Sequence, residues 1–257
     1  MLVRSAAICA LFLFVASSVE AGNVFVDGAT GNDANPGTAA APLETIQAGI
    51  DAAAASPGAD TVHVAAGNYV ETLSIADPNR LTIDGGGATV TPADAGDDVI
   101  EIGTGNVTVR DLNVSGGDKG FDVDDATELN LVDVDVSGTD DDCVNAKNVT
   151  RLNVLRGSYT SDGDHGLSIE GIGAASLQDV TADNNGDRGV NAEDVGNMVV
   201  DGGSFSWNTR DGIKLEIGGK LHGFAAFGTA ARRVFGVVLA NGLVGLPPGL
   251  PDGARMR

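Results

Sequence analysis

Ionisable side chains recur at a fixed spacing in the middle of this chain. One line of them steps every 23 residues through Lys119, Asp142, His165, Arg188 and Asp211. The residues just before these are Asp118, Asp141, Asp164, Asp187 and Arg210. Imidazole and carboxylate groups transfer protons or bind cations, so the pattern could serve either chemistry. The question is whether His165, in the segment SDGDHGLSIEG, acts on a substrate or is a variable position in a structural repeat.

These residues belong to a longer repeat. Segments that begin 23 residues apart read GDKGFDV, DDDCVNA, GDHGLSI, GDRGVNA and TRDGIKL. Each repeat holds three short stretches of alternating apolar and polar residues, separated by Gly, Asp and Asn. Three strands per repeat without helices predict a coil of triangular section, and stacked coils place equivalent residues ~4.8 Å apart. The predicted fold class is all-β, a right-handed parallel β-helix with three-strand coils of about 23 residues.

Stacking would put four aspartates in one line, namely Asp118, Asp141, Asp164 and Asp187. Unit charges ~5 Å apart repel by about 1 kcal/mol in water-like surroundings and by ~3 kcal/mol at an effective dielectric of 20. Backbone N–H groups of each turn could offset this repulsion, and calcium ions that bridge neighbouring coils could offset it more strongly. Recurrence in every coil favours the structural role, because a catalytic residue is needed only once. Calcium bound by these four aspartates is the alternative.

The two ends of the chain differ from the repeat. Residues 1–21 combine Arg4 with the apolar run AAICALFLFVAS, which predicts a signal peptide and a secreted or extracellular protein. Residues 22–218 are expected to form one β-helical domain, with a helix at about 43–55 that caps its first coil. Residues 219–257 hold five basic residues and one acid. They are interpreted as a cap, a tail or the product of an altered reading frame.

Composition excludes several partners. The formal net charge of −21 argues against nucleic acids and anionic membranes. Of the 36 acidic residues only eight are Glu, and Asp is both a turn former and a short oxygen ligand. Without residues 1–21 the chain keeps one cysteine, Cys143, so no intrachain disulfide can form. Packing or bound ions must then stabilise a secreted chain, which we expect to be a monomer.

The N-terminal segment and the repeats together resemble secreted β-helix proteins of the pectate-lyase-like superfamily, over about residues 22–218. Within them DDCV at Asp141 to Val144, HGLSI from His165 and the pair Ile213–Lys214 look like motifs of polygalacturonases, the pectin-hydrolysing glycosidases of this fold. This resemblance implies that Asp141 is the general acid, Asp142 the base that activates water, and His165 a group that assists the acid. It also implies that Lys214 holds a substrate carboxylate. Inverting hydrolysis requires two such carboxyl groups with room for a water between them.

Two positions depart from the polygalacturonase pattern. A further aspartate of that family falls at Lys119, and its arginine falls at Gly212. A second enzymatic hypothesis is a calcium-dependent polysaccharide lyase of the pectate-lyase type. Here aspartates would hold the metal, and Arg188, Lys119 or Lys214 would remove a proton. A chain this acidic repels a polyuronate unless cations bridge the two, so the lyase hypothesis requires calcium.

The hypothesis that needs least beyond the repeat is a secreted β-helix that binds or scaffolds on a polysaccharide without catalysis. The residues expected to contact the polysaccharide are Lys119, Arg188, Trp207, Arg210 and Lys214. Catalysis, if present, is assigned to Asp141, Asp142 and His165. Aromatic residues make up only 4% of the chain and Trp207 is its one tryptophan, which favours binding or scaffolding over an enzyme. Calcium is the one cofactor that the sequence suggests.

Overall fold

The structure is a computed structural model that describes residues 22–77, 79–161 and 163–217, together with the backbone of strands at 220–225 and 236–239. Its parallel strands wind into a β-helix of about seven turns, and one short α-helix accompanies them among the described residues. The predicted fold class is confirmed. The proposed signal peptide, 1–21, lies outside the described residues, as does most of the segment 219–257.

The strands form two sheets. The larger sheet contains β1 (Asn23–Val26), β2 (Ala59–Val64), β3 (Asn68–Val70), β5 (Arg80–Thr91), β7 (Asn106–Ser115), β9 (Glu128–Ser137), β11 (Arg151–Leu155), β12 (Tyr159–Thr160), β14 (Ala174–Gln178), β16 (Asn197–Asp201) and β18 (Lys220–Ala225). The smaller sheet contains β4 (Leu73–Ile75), β6 (Ile100–Ile102), β8 (Phe121–Asp124), β10 (Val144–Lys147), β13 (Leu167–Glu170), β15 (Val190–Glu193), β17 (Ile213–Ile217) and β19 (Gly236–Leu239).

The 23-residue repeat sets the register of the smaller sheet. Its paired positions run through Phe121, Val144, Leu167, Val190 and Ile213, each aligned with the next. All five side chains are fully buried in the hydrophobic core. Because successive side chains of a strand point to opposite faces, the step that aligns the core also aligns the polar residues outside.

The corners of the coil explain the abundance of Asp, Asn and Gly. One corner is formed by residues with positive φ in successive coils: Asp111, Asp133, Arg156, Asp179 and Gly202. A second corner repeats the same conformation at Asp125, Asn148, Gly171 and Asp194. Short polar residues and glycine tolerate this left-handed region, whereas most side chains clash there. At the first corner Arg156 is the exception, and its guanidinium pairs with Asp133 of the preceding coil.

The helix α1 (Ile46–Ala54) packs at the N-terminal end of the solenoid, against β1, β2 and β4. It begins at Ile46 because Thr45 is extended and its side chain accepts a hydrogen bond from the Ala48 N–H. Leu43, at the start of the helix predicted over about 43–55, instead lies before it in a bridge to Val26. Ile46 and other residues of the inner helical face are buried, so α1 covers the exposed end of the core.

At the other end, the backbone continues both sheets beyond residue 218. Strand β18 pairs in parallel with β16, and β19 pairs in parallel with β17. The rest of 219–257 lies outside the described residues, so its interpretation as a cap, a tail or an altered reading frame stays open.

One carboxylate ties the capping helix to the second coil. Glu71 accepts hydrogen bonds from the N–H groups of Ile46 and Gln47, at 2.9 and 3.0 Å. These donors have no partner inside the helix, and a negative charge at this end also favours the helix dipole. We expect Glu71→Ala to lower the free energy of unfolding by about 1–2 kcal/mol. Thermal unfolding followed by circular dichroism measures the change.

The control variant is Glu170→Ala, which removes an exposed glutamate at the end of β13. Its melting temperature should match that of the wild type. Equal losses in both variants would mean that overall charge, and not the contact of Glu71 with the helix, determines the effect.

Candidate functional site

The coil register places the ionisable residues in stacked lines along one edge of the solenoid. In the first line the N–H groups of Asp141, Asp164 and Asp187 donate to the carbonyl groups of Asp118, Asp141 and Asp164, at 2.8, 3.3 and 2.8 Å. In the second line the carbonyl groups of Asp142, His165 and Arg188 accept from Gly120, Cys143 and Gly166 in neighbouring coils, at 3.2, 3.0 and 3.0 Å. The predicted juxtaposition of these residues is therefore present.

Charged side chains, and not backbone amides, offset the repulsion at the two ends of the aspartate line, Asp118 and Asp187. No N–H of the described backbone is found donating to the carboxylates of Asp118, Asp141, Asp164 or Asp187, in contrast to the donors expected from each turn. Asp187 is compensated twice, because Arg188 Nη1 lies 2.9 Å from its Oδ2 and Arg210 Nε lies 2.9 Å from its Oδ1. At Asp187 the two arginines thus provide the compensating charge that the sequence analysis expected from backbone N–H groups.

The two lysines predicted to bind substrate are also engaged by carboxylates. Lys119 Nζ lies 3.3 Å from Asp98 Oδ1, a partner that sequence reasoning missed. Lys214 Nζ lies 2.6 Å from Glu193 Oε1 and 3.1 Å from Glu216 Oε1. Burial by itself would lower the pKa of both amines, but the surrounding carboxylates outweigh it and raise the pKa of each. Both lysines are therefore charged and paired.

Asp142 is the most buried carboxyl group of the edge, with only 7% of the residue exposed. Its Oδ1 accepts a hydrogen bond from the His165 N–H at 2.9 Å, and the Ser168 side chain provides another. Burial above all, and then the charges of Asp141 and Asp164, raise the pKa of Asp142 to about 7, although the two hydrogen bonds oppose the change. At neutral pH this carboxyl is therefore divided between its neutral and ionised forms.

Burial also governs Asp141 and His165. The pKa of Asp141 is raised by burial first and then by the charge of Asp118. The pKa of His165 is lowered, because burial disfavours the imidazolium more than Asp164 and Asp187 favour it. His165 Nδ1 lies 3.0 Å from Asp164 Oδ1 and 3.8 Å from Asp187 Oδ2, yet it makes no hydrogen bond of normal geometry.

A buried serine holds the turn that carries Asp164 and His165. The Ser161 hydroxyl accepts hydrogen bonds from the N–H groups of Gly163 and Asp164, at 3.1 and 3.2 Å. It also donates to the carbonyl of Asp141 in the preceding coil. Short hydroxyl side chains commonly stabilise turns in this way. The result is a fixed position of the turn relative to Asp141 and Asp142.

A third line of polar residues, not identified from the sequence, lies on the adjoining strands. Its members pair in register and are Asp122, Asn145, Ser168, Asn191 and Lys214. Asn145 Nδ2 donates to Asp122 Oδ1 at 2.9 Å, whereas Asn191 Oδ1 is buried without a hydrogen-bond partner. The signal that could have revealed this line is a polar residue two positions after each Gly or Cys of the repeat.

Trp207 lies in the last turn of this edge and is 69% exposed. Its φ of 63° is in the left-handed region, which is rare for a bulky residue. The equivalent position of the preceding coil holds Asn184, with a φ of 58°, so the turn itself imposes the conformation. Such a conformation costs free energy for a residue with a bulky side chain.

Three residues of the edge bring metal-ligating atoms together. One carboxylate oxygen each of Asp142 and Asp164 and a ring nitrogen of His165 lie within 4.8 Å of one another. In the described part of the chain no other group of three or more such residues does so. The predicted calcium ligands Asp118, Asp141, Asp164 and Asp187 are not such a group, because stacking spreads them along a line. Calcium at those residues stays a prediction.

No protein-family model, no curated protein and no solved structure matches this chain. The pectate-lyase-like and polygalacturonase resemblances therefore stay predictions from short motifs. Within the described residues, no helix has the length and apolar character needed to cross a membrane.

The raised pKa of Asp142 makes a pH-dependent contribution to stability. The carboxyl titrates near 3.8 when unfolded and at about 7 when folded, so the folded state holds the proton more tightly. The contribution is fully present below about pH 4 and is lost as the pH rises through 7. The difference corresponds to about 4 kcal/mol as an upper bound. We expect Asp142→Asn to lose less stability than the wild type between pH 4.5 and 8, measured by urea unfolding in the presence of a chelator.

Asp94→Asn controls for the loss of one negative charge, because it removes an exposed carboxylate from a surface turn. This variant should keep the pH dependence of the wild type. A wild-type pH profile in Asp142→Asn would show instead that the Asp142 carboxyl is ionised in the folded protein throughout this range.

Proposed function

We propose that this protein is a secreted β-helix that binds an uncharged polysaccharide along one edge of the solenoid. This binding edge consists of residues 117–119, 140–142, 163–165, 186–188 and 207–214. One observation carries the choice of ligand. The cationic side chains of this edge could bind a sugar carboxylate, but each is already paired with a carboxylate of the protein itself.

The ion pairs disfavour an acidic polysaccharide. Lys119, Arg188, Arg210 and Lys214 would have to give up protein carboxylates before they could bind a uronate. The exchange would leave those protein carboxylates without partners in a chain of formal charge −21. An uncharged glycan requires no such exchange, because its hydroxyl groups donate to carboxylates and accept from amines that remain paired.

The remaining groups of the edge suit a sugar. Trp207 offers an exposed ring face, and the half-buried residues Ser168 and Asn191, which pair in register on neighbouring coils, add a hydroxyl and an amide group. A tryptophan supplies contact area at low cost in side-chain entropy, and a few polar groups around it fix the orientation of a ligand. Repetition along the solenoid favours an extended, repeating ligand over a small molecule.

Binding is tested with the purified chain against soluble uncharged polysaccharides, such as xylan, mannan, galactan and β-glucan. Polygalacturonate and alginate serve as acidic comparisons. Isothermal titration calorimetry should show binding to at least one uncharged polymer and none to the polyuronates when chelator is present. Binding confined to polyuronates would overturn the proposal.

The contribution of Trp207 gives a sharper prediction. Tryptophans at the centre of binding surfaces typically cost about 2 kcal/mol when truncated, so Trp207→Ala should weaken binding by about 30-fold. Val70→Ala is the control, since Val70 is equally exposed, at 69%, but lies in β3 of the larger sheet, near the N-terminal end of the solenoid. Equal affinities of the Trp207→Ala variant and the wild type would place the ligand elsewhere.

The same samples test the hydrolase and lyase alternatives. New reducing ends would indicate hydrolysis, which Asp142→Asn should then abolish. Ultraviolet absorbance from an unsaturated product, lost on adding chelator, would indicate the calcium-dependent lyase. Either product would replace binding alone as the function of this edge.

A further inference from the structure

Two successive coils contribute ligand atoms to one point of the binding edge. Asp142 belongs to one coil, whereas Asp164 and His165 belong to the next. A hydrogen bond from the backbone N–H of His165 to Asp142 Oδ1 connects the two coils there. The carboxylate oxygens and the ring nitrogen lie within 4.8 Å of one another. This arrangement depends on the 23-residue stacking and on the turn held by Ser161, and it does not require a bound sugar.

The imidazole provides an independent observation that points to a ligand here. His165 is 6% exposed, and its Nδ1 atom is buried and has no hydrogen-bond partner. A buried polar atom without a partner is destabilising, because it has lost water and gained nothing in return. The nitrogen faces Asp164 at 3.0 Å, so it is directed into the group of carboxylates. A cation between them would satisfy the nitrogen and both oxygens at once.

We propose that Asp142, Asp164 and His165 bind a divalent first-row metal ion of the Zn²⁺ class, which cross-links two successive coils. Imidazole and carboxylate ligands suit such ions, whereas calcium takes six to eight oxygen ligands. Three protein ligands leave the fourth position of a tetrahedral ion for water or a ligand.

One of the three ligand-to-ligand distances already matches that of a bound ion. Zinc lies about 2.0–2.2 Å from nitrogen and oxygen ligands, which places tetrahedral ligands ~3.3 Å apart. His165 Nδ1 and Asp164 Oδ1 are already close to this separation, at 3.0 Å. The Asp164 side chain is 46% exposed, so it has room to turn towards the ion, while Asp142 and His165 are held by burial.

The surrounding charges are compatible with a cation. Arg188, in the coil after His165, is directed to Asp187 and Asp211. Asp141, whose backbone precedes Asp142, adds a negative charge nearby. A bound dication would therefore reduce the excess of negative charge on this part of the edge.

Titration of the chelator-treated full chain with Zn²⁺ alone, followed by calorimetry, tests the proposal, and Co²⁺ provides a visible spectrum that reports the ligand geometry. We expect one Zn²⁺ per chain, bound more tightly than Ca²⁺, and a higher melting temperature with Zn²⁺. His165→Ala should weaken Zn²⁺ binding by at least ~100-fold, since even outer contacts of a metal site are worth 10–100-fold. Asp164→Asn should weaken it by about 10-fold or more and, because Asp164 is half exposed, should fold normally.

Two variants control for location. Asp118→Asn changes the equivalent aspartate two coils earlier, and His63→Ala changes a histidine of the other sheet; both should retain wild-type affinity. The chain has three histidines, so imidazole nitrogen resonances can be assigned by substitution, and His165 should be the one that shifts with Zn²⁺. Absence of Zn²⁺ binding, or binding that survives both His165→Ala and Asp164→Asn, would overturn the proposal. Tighter binding of Ca²⁺ that is lost in Asp118→Asn would favour the calcium line instead.

Metal binding by Asp142, Asp164 and His165 does not require the polysaccharide. Metal binding with no glycan binding would reject only the proposed function, and glycan binding unaffected by Zn²⁺ and by Asp164→Asn would leave the two as separate properties of one edge.

Discussion

The stacking of coils through backbone hydrogen bonds is the constraint on which the rest of this structure depends. Each strand of the smaller sheet donates to and accepts from its neighbours one coil away, in a register of 23 residues from Phe121 to Ile213. A slip of one residue would expose the apolar positions and bury the polar ones. The register of the core therefore also determines which polar residues lie next to each other on the surface.

Because of this stacking, aspartates of successive coils lie close together at the binding edge. Their repulsion is offset in different ways along the line. Near Asp187 two arginines supply the compensating charge. Near Lys119 the ion pair includes Asp98 of the coil before. Around Asp142 and Asp164 no Lys or Arg side chain forms an ion pair among the described residues, and burial, followed by the charges of Asp141 and Asp164, raises the pKa of Asp142. The centre of the edge is thus its least compensated part, and there the metal-ligating atoms converge.

The two proposals assign different tasks to the same surface. Sugar binding would use Trp207, whose ring is exposed, whereas the cation would use Asp142 and His165, which are buried. Repetition stacks the side chains in lines, and the residue type at each position sets what each coil can bind. In the line of Lys119, Asp142, His165, Arg188 and Asp211, His165 supplies the one imidazole. Because one fold supports many functions, both proposals rest on these residues and not on the β-helix.

By itself, the sequence determined the β-helix, because its period of 23 and its alternation within strands are local properties that admit few other folds. It also identified the corners, since Asp, Asn and Gly at positions such as Asp133 and Asn148 tolerate the left-handed backbone. Only the tertiary structure decided which charges are paired, since Asp98 meets Lys119 and Glu193 meets Lys214 across coils, over distances that no short motif encodes. The same holds for the burial of Asp142 and His165: the repeat gives their positions in line, but desolvation and the direction of a side chain arise only when neighbouring coils pack around them.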